Sequence, residues 1–428
     1  RNAEKEHPRT HEVFTHQYSL AHRFMPLVAV LVVALIVGSM AWVFTLARHG
    51  GGNPATSGTA SSGVYVGTDG GIYHTDIQTG KILWQYLVPG TPSNGGKVPI
   101  SALKLVVTHE TVYAAVTVGH PTKAFLLALD AATGHVRWQH SFANGSSLTD
   151  MVMVSNLLYA SVIPPHTGVM PTSNQLSDGV TYALQSTTGD ISASYAVTGN
   201  IAIVNQVLYA TGNGISAINL TTGRLLWHAS VNGEHLQSPI VVNGTLYTSA
   251  WFSLDQNNPN RAGFVYAFDA QTGTKIWQSP RMNSSGKANL PTITNVTVTN
   301  AVLYVGFQNQ LLAYDTQSGH LLWNQKVNGS IQQTPLVVEG VVYVAISAYG
   351  QTGEACAVAA FQAQNGRTLW TSQIDGGNVL TGPTFAQGMV YVANVTTYAL
   401  KATNGANVWQ ATINNPYLSD PLMITAIA

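Results

Sequence analysis

Charge is scarce in this sequence. Asp, Glu, Lys and Arg together make up 8 % of its 428 residues, about a third of the share in an ordinary globular chain. Lys plus Arg number 18 and Asp plus Glu number 18, so the net charge is zero. Without a basic excess to neutralise phosphates, nucleic acid is excluded as the main partner. Cysteine is nearly missing, with Cys356 standing alone. One thiol excludes an intrachain disulfide, a cysteine-based zinc site and CxxCH haem attachment. GxSxG, HExxH, P-loop and GxGxxG motifs are also missing from any context that would give them chemistry. The 45 % hydrophobic content excludes a disordered chain. Glycine, by contrast, is plentiful at 40 residues. Many short strands joined by turns would use it.

Only one apolar run is long. Residues 24–46 are 23 residues without a charge, enough for a helix to cross a hydrocarbon core of about 30 Å. Cleavable signal peptides have a shorter apolar region and a small-residue cleavage site. The expectation is therefore an uncleaved, single-pass membrane anchor contacting the lipid bilayer. Arg1, Lys5, Arg9 and Arg23 precede the span and Arg48 closely follows it. The positive-inside rule then places residues 1–23 in the cytoplasm and everything after residue 46 outside. Residues 47–62 have the Gly, Ser and Thr composition of a flexible linker.

From residue 63 the sequence repeats itself. An aliphatic–Tyr–small or aliphatic tripeptide recurs at Tyr65, Tyr113, Tyr159, Tyr209, Tyr247, Tyr304, Tyr343 and Tyr391. A second motif follows each copy, loosely A-x-D-x-x-T-G-x-x-x-W, as in residues 128–138, 267–277 and 313–323. Its glycines are Gly80, Gly134, Gly189, Gly223, Gly273, Gly319, Gly366 and Gly405, spaced about 46 residues apart. Four residues on stand Trp84, Trp138, Trp227, Trp277, Trp323, Trp370 and Trp409; the third copy has Ala193 instead. Each unit reads as four strands, A to D. Strand A starts near a Pro, strand B carries the Tyr, strand C the Ala and Asp, and strand D the Trp. Glycine supplies the positive φ of the C–D turn, and Asp76, Asp130, Asp269 and Asp315 read as fasteners of that turn. The residue before each Trp is mostly aliphatic, so strict alternation predicts a strand D buried on both faces.

Units of this length with four strands predict an all-β, eight-bladed β-propeller over residues 63–428. The first unit lacks a strand A, and residues 419–428 read as a spare one. The C-terminal strand should therefore close the ring.

These motifs resemble the pyrroloquinoline-quinone-like (PQQ-like) propeller repeats over residues 64–428. That family contains quinoprotein dehydrogenases, the outer-membrane assembly lipoprotein BamB, and sensor domains of membrane kinases. Fold alone does not choose among them. In the dehydrogenases the resemblance implies a quinone cofactor in the central funnel, with calcium, an acidic base and adjacent cysteines. This sequence has no Cys-Cys pair, and no acid aligns with the family's catalytic set. The BamB or sensor type is expected, with no cofactor; PQQ and calcium belong to the alternative, a membrane-attached quinoprotein oxidoreductase. BamB's lipid anchor needs an N-terminal cysteine, which this sequence does not carry.

The B–C connections at 161–179, 249–263 and 346–356 read as long and irregular. They and the D–A links share one face of the disc, and loops on a rigid scaffold carry binding residues. Trp251 and Phe252 fall outside the tryptophan rule, an apolar pair in polar surroundings. With Asp255 and His166 they are the candidate contacts for an extracytoplasmic protein or ligand. No catalytic or metal-binding residue is predicted. Cys356 reads as a free thiol at the edge of a strand C.

Overall fold

Two-residue turns and period-two alternation build each repeat into an antiparallel meander. In a computed structural model the described residues are 62–68, 70–88, 100–119, 122–165, 179–231, 235–255, 258–283, 293–348, 356–375, 380–412 and 421–427. They lie within one unit, Gly58–Ala428. Residues 24–46 and the linker fall outside them. No helix among the described residues is long and apolar enough to cross a membrane.

The strands form eight separate sheets. The second blade illustrates the plan: Ile100–Val107, Thr111–Val118, Lys123–Asp130 and Val136–Ser141 pair in that order. Blades five and seven split strand A in two, as His235–Leu236 with Ile240–Val242, and Ser330–Ile331 with Leu336–Val338. Pro239 and Pro335 stand just before the second pieces, where a missing N–H costs no ladder bond. The A–B turns at Asn243-Gly244 and Glu339-Gly340 have φ near +49° then +77° or +78°. These are the mirror-image turns that suit the right-handed twist of a hairpin.

The ring closes as the sequence predicts. Pro421–Ile427 pairs antiparallel with Gly63–Thr68, bringing Tyr65 opposite Thr425. The first blade is thus built from both ends of the propeller.

One contact set recurs between blades. The Trp84 indole N–H donates to the Ala131 carbonyl at 2.9 Å, and the Tyr65 hydroxyl donates to the same oxygen at 3.3 Å. The same pair of bonds joins Trp227 and Tyr209 to Ala270, Trp323 and Tyr304 to Ala363, and Trp409 and Tyr391 to Ile77. The acceptor always follows the Asp position of the next unit, so seven blades are clipped in this way to their successors, the eighth to the first. The indole also lies on the next unit's turn glycine: a Cβ on Gly405 would sit 2.4 Å from Trp370. These glycines all have φ between +67° and +77°. The conformation requires glycine at all eight, and the close approach requires it at the seven that lie against an indole.

Strand D departs from the alternation expected of it. In every blade the C–D register slips by one residue beside the Trp position, as between Ala360–Trp370 and Phe361–Thr368. The residue before the Trp is the extra residue of a β-bulge. Leu83, Leu226, Ile276, Leu322, Leu369 and Val408 are consequently exposed, between 41 % and 51 %. Strand D is buried on its Trp side alone.

Candidate functional site

The eight A strands ring a central funnel of about 440 Å³. Its wall takes Lys104 from blade two, Asp150 from blade three, Asn200 from blade four, Asn295 from blade six and Gln333 from blade seven. Asp150 is buried, 3 % exposed, and it is fully engaged. Its carboxylate pairs with the Lys104 ammonium and accepts the Met151 and Ile201 N–H groups, each at 2.8 Å. The amides are engaged as well: Asn200 Nδ2 donates to the Leu236 carbonyl at 3.3 Å, and Asn295 Oδ1 accepts the Ser238 N–H at 3.0 Å. These bonds run from blade to blade, so the polar wall stitches the ring.

The third junction leans on this stitching. Ala193 replaces the clipping tryptophan there, and nothing lies within 4 Å of where a Cβ on Gly223 would be. Tyr195 takes over the rim bond, donating to the Leu220 carbonyl at 3.0 Å. On the inner side Asp150 reaches Ile201, Thr149 Oγ1 reaches the Gly199 carbonyl at 3.2 Å, and Ser161 bonds Thr198 at 2.8 Å.

A quinone–calcium site would need cations for an anionic cofactor and free acids for the metal. The described lining offers one Lys–Asp pair already bonded to itself, and its remaining polar side chains are neutral. The residues present do not fit that group. Among the described residues no three His, Cys, Asp or Glu side chains gather as metal ligands.

The motif aspartates are turn fasteners. Asp76 Oδ1 accepts from the Thr79 hydroxyl at 2.7 Å and from the Thr79 and Gln78 N–H groups at 2.8 and 3.1 Å. The Thr79 hydroxyl bond leads in holding its pKa below the ordinary value. Asp130 is lowered to about 2, above all by the Arg137 hydrogen bond.

The 249–263 connection is a correction. It is not an irregular loop. Thr245–Asp255 and Asn258–Asp269 run on as one long hairpin beyond the four-residue strand D, Lys275–Gln278. The alternation of residues 262–268 (AGFVYAF) extends the pairing, so ladder bonds replace loop solvation. Trp251 and Phe252 sit side by side on this hairpin, facing opposite ways and each half-buried. Trp251 stacks on His235 at 3.8 Å and packs against the core between blades five and six. Phe252 stacks on Phe264 at 5.6 Å, with the Arg281 guanidinium 5.6 Å from its ring centre. Phe252, Phe264, Tyr266 and Phe268 line a groove of about 660 Å³ between blades four and five, edged by Lys275 and Gln278. Asp255 pairs through its backbone with Asn258 at the hairpin's end. His166 lies outside the described residues, as do 349–355 of the third long connection. Cys356 is buried at the start of a strand C and takes part in no disulfide.

Lys104, Asp150, Phe264 and Arg281 were not among the residues singled out from the sequence. Only Phe264 carried a signal: it alternates with Tyr266 and Phe268, where the seventh blade has Ala357, Ala359 and Phe361.

Eight meander sheets around a polar funnel, joined at seven of the eight junctions by a Tyr and Trp clip, define a β-propeller of the PQQ-repeat class. Residues 30–163, 261–373 and 354–425 match one family within that class, described as outer membrane protein assembly factor BamB. That is more than half of the chain, and the chain belongs to this family. It is 24 % identical over 319 residues to outer membrane protein assembly factor BamB of Yersinia pestis, covering 70 % of this chain and 65 % of that protein. It is 24 % identical over 306 residues to tetrathionate hydrolase of Acidithiobacillus ferrooxidans, covering 67 % of this chain and 53 % of the hydrolase. The chain thus spans about half the length of the hydrolase and just under two thirds of that BamB. The crystal structure of BamB from Moraxella catarrhalis shares the fold, with TM-score 0.51 and 18 % identity over 80 % of this chain and 89 % of that one.

Proposed function

We propose that the propeller is a non-catalytic scaffold, held outside the cell membrane by residues 24–46, that grips a protein partner through the blade-five hairpin. Family membership supports the scaffold reading. The observation that carries it is the hairpin itself, which leaves the repeat plan to present half-buried aromatic rings beside a groove. The self-bonded funnel wall supports a role for the funnel in the ring's integrity, and the proposal places no cofactor there. Phe252→Ser should weaken partner capture by the full chain while costing about 1–2 kcal/mol of stability, the ring stack and the guanidinium contact it gives up. Trp251→Ser should cost more stability, because Trp251 also packs on a core. Photo-crosslinking from position 252 should yield one adduct that crosslinking from Gln317, on a C–D turn, does not. Equal adducts from both positions, or cofactor-dependent dye reduction with alcohols or sugars after addition of quinone and calcium, would overturn the proposal. The similarity to tetrathionate hydrolase supports a second reading, hydrolysis, which incubation with tetrathionate tests directly.

A further inference from the structure

At the cross-strand position between the repeat's Tyr and Trp, seven blades carry alanine: Ala128, Ala183, Ala217, Ala267, Ala313, Ala360 and Ala399. The first blade carries His74 there, opposite Tyr65 on one side and Trp84 on the other. Its imidazole stacks on Tyr65 at 4.3 Å with the rings 3° from parallel, and it lies 5.4 Å from Trp84. It is fully buried, and neither ring nitrogen has a hydrogen-bond partner. A Cβ on Gly63 would come within 1.8 Å of Nε2, so the start of strand B is glycine to admit the ring. A buried polar group without partners is costly, and a charge there more so.

We propose that His74 makes the ring acid-labile at its closing blade: protonation of this imidazole opens the first blade while blades two to eight stay folded. The blade is suited to this, because its A strand comes from the far end of the propeller and its pairing with Gly63–Thr68 is the closure itself. Few groups can offset the new charge. Among the described residues Asp76, two residues along the same strand, is the one charged side chain that acts on it. Strand B offers the Tyr65 ring, strand D the Trp84 and Tyr86 rings. The second blade faces this core with Leu105, Val112, Leu127 and Leu129, all apolar.

Burial, partly offset by Asp76, lowers the imidazole pKa to about 4. In the opened blade it returns to about 6.5. The closed blade therefore binds fewer protons between these values. Closure is at full strength above about pH 6.5 and weakens as pH falls towards 4.

Hydrogen–deuterium exchange on the full chain in detergent, corrected for intrinsic rates, reads the opening directly. Going from pH 7 to pH 5, opening of residues 63–88 and 421–427 should rise about 20- to 30-fold, the ratio set by the two pKa values. The other blades should change little. His74→Ala installs the residue of the other seven blades and should abolish the rise; His74→Phe, a ring that does not titrate, should do so where the alanine leaves a void. Persistence of the rise in both variants would overturn the proposal, as would an equal rise in every blade.

Discussion

The turn glycines show how one residue type answers two demands, and the chain separates them. Gly405 and Gly223 share a left-handed φ, +71° and +67°. Only Gly405 lies under an indole, because Ala193 leaves the space over Gly223 empty. Gly223→Ala should cost about 1–2 kcal/mol, the strain of an L-residue in that conformation. Gly405→Ala should cost clearly more, since Trp370 must also move. Chemical denaturation of the two variants compares them directly. Trp370→Ala should cost about 3–5 kcal/mol as a large buried side chain is removed. Trp370→Phe, which forfeits chiefly the bond to the Ala402 carbonyl, should cost about 1 kcal/mol from that bond. The pH dependence of Asp130 has the opposite cause to that of His74. Its lowered carboxyl adds stability above about pH 4, which is lost as pH falls through about 2. Arg137→Ala removes the leading cause, so the carboxyl midpoint followed by carbon NMR should move up from about 2.

Among the elements, the closing strand stands alone in crossing from one end of the propeller to the other. Deleting residues 418–428 should leave Gly63–Thr68 as an unpaired inner edge, which invites intermolecular pairing. A lowered melting temperature with concentration-dependent aggregation is the expected outcome. An unchanged melt would show that the pairing adds nothing to stability. The blade-five hairpin is the other exceptional element. Its aromatic residues at 264, 266 and 268 line one face of one strand, opposite small residues of blade four, and this opens the groove.

For the whole molecule, the balance lies between rim and funnel. Seven junctions use a Trp clip at the rim, and the junction from blade three to blade four lacks it. There the funnel side compensates through Asp150, whose carboxylate draws blades two, three and four together. Asp150→Ala should cost about 2–3 kcal/mol, since it strips charge-assisted bonds and leaves the Ile201 N–H without its partner. Exchange should rise first around residues 200–204, which places the loss at the weakest junction.

The repeat period, eight Tyr positions and seven Trp positions determined the class of fold, because a four-strand meander that recurs eight times has few ways to bury its faces. The incomplete first unit and spare last strand determined the closure for the same reason. Tight turns were equally legible: Asn-Gly and Asp-x-x-Thr-Gly act over a few residues, and local sterics decide them. Three features were decided only by tertiary structure. The bulge before each Trp depends on register across strands, so aliphatic residues that alternation would bury stand on the rim. The reach of the 249–263 hairpin depends on pairing that the polar composition of LDQNNPN (254–260) conceals. Lys104 and Asp150 are 46 residues apart in sequence, and His74 differs from alanine in a single repeat. Their importance comes from neighbours that only the closed ring brings to them.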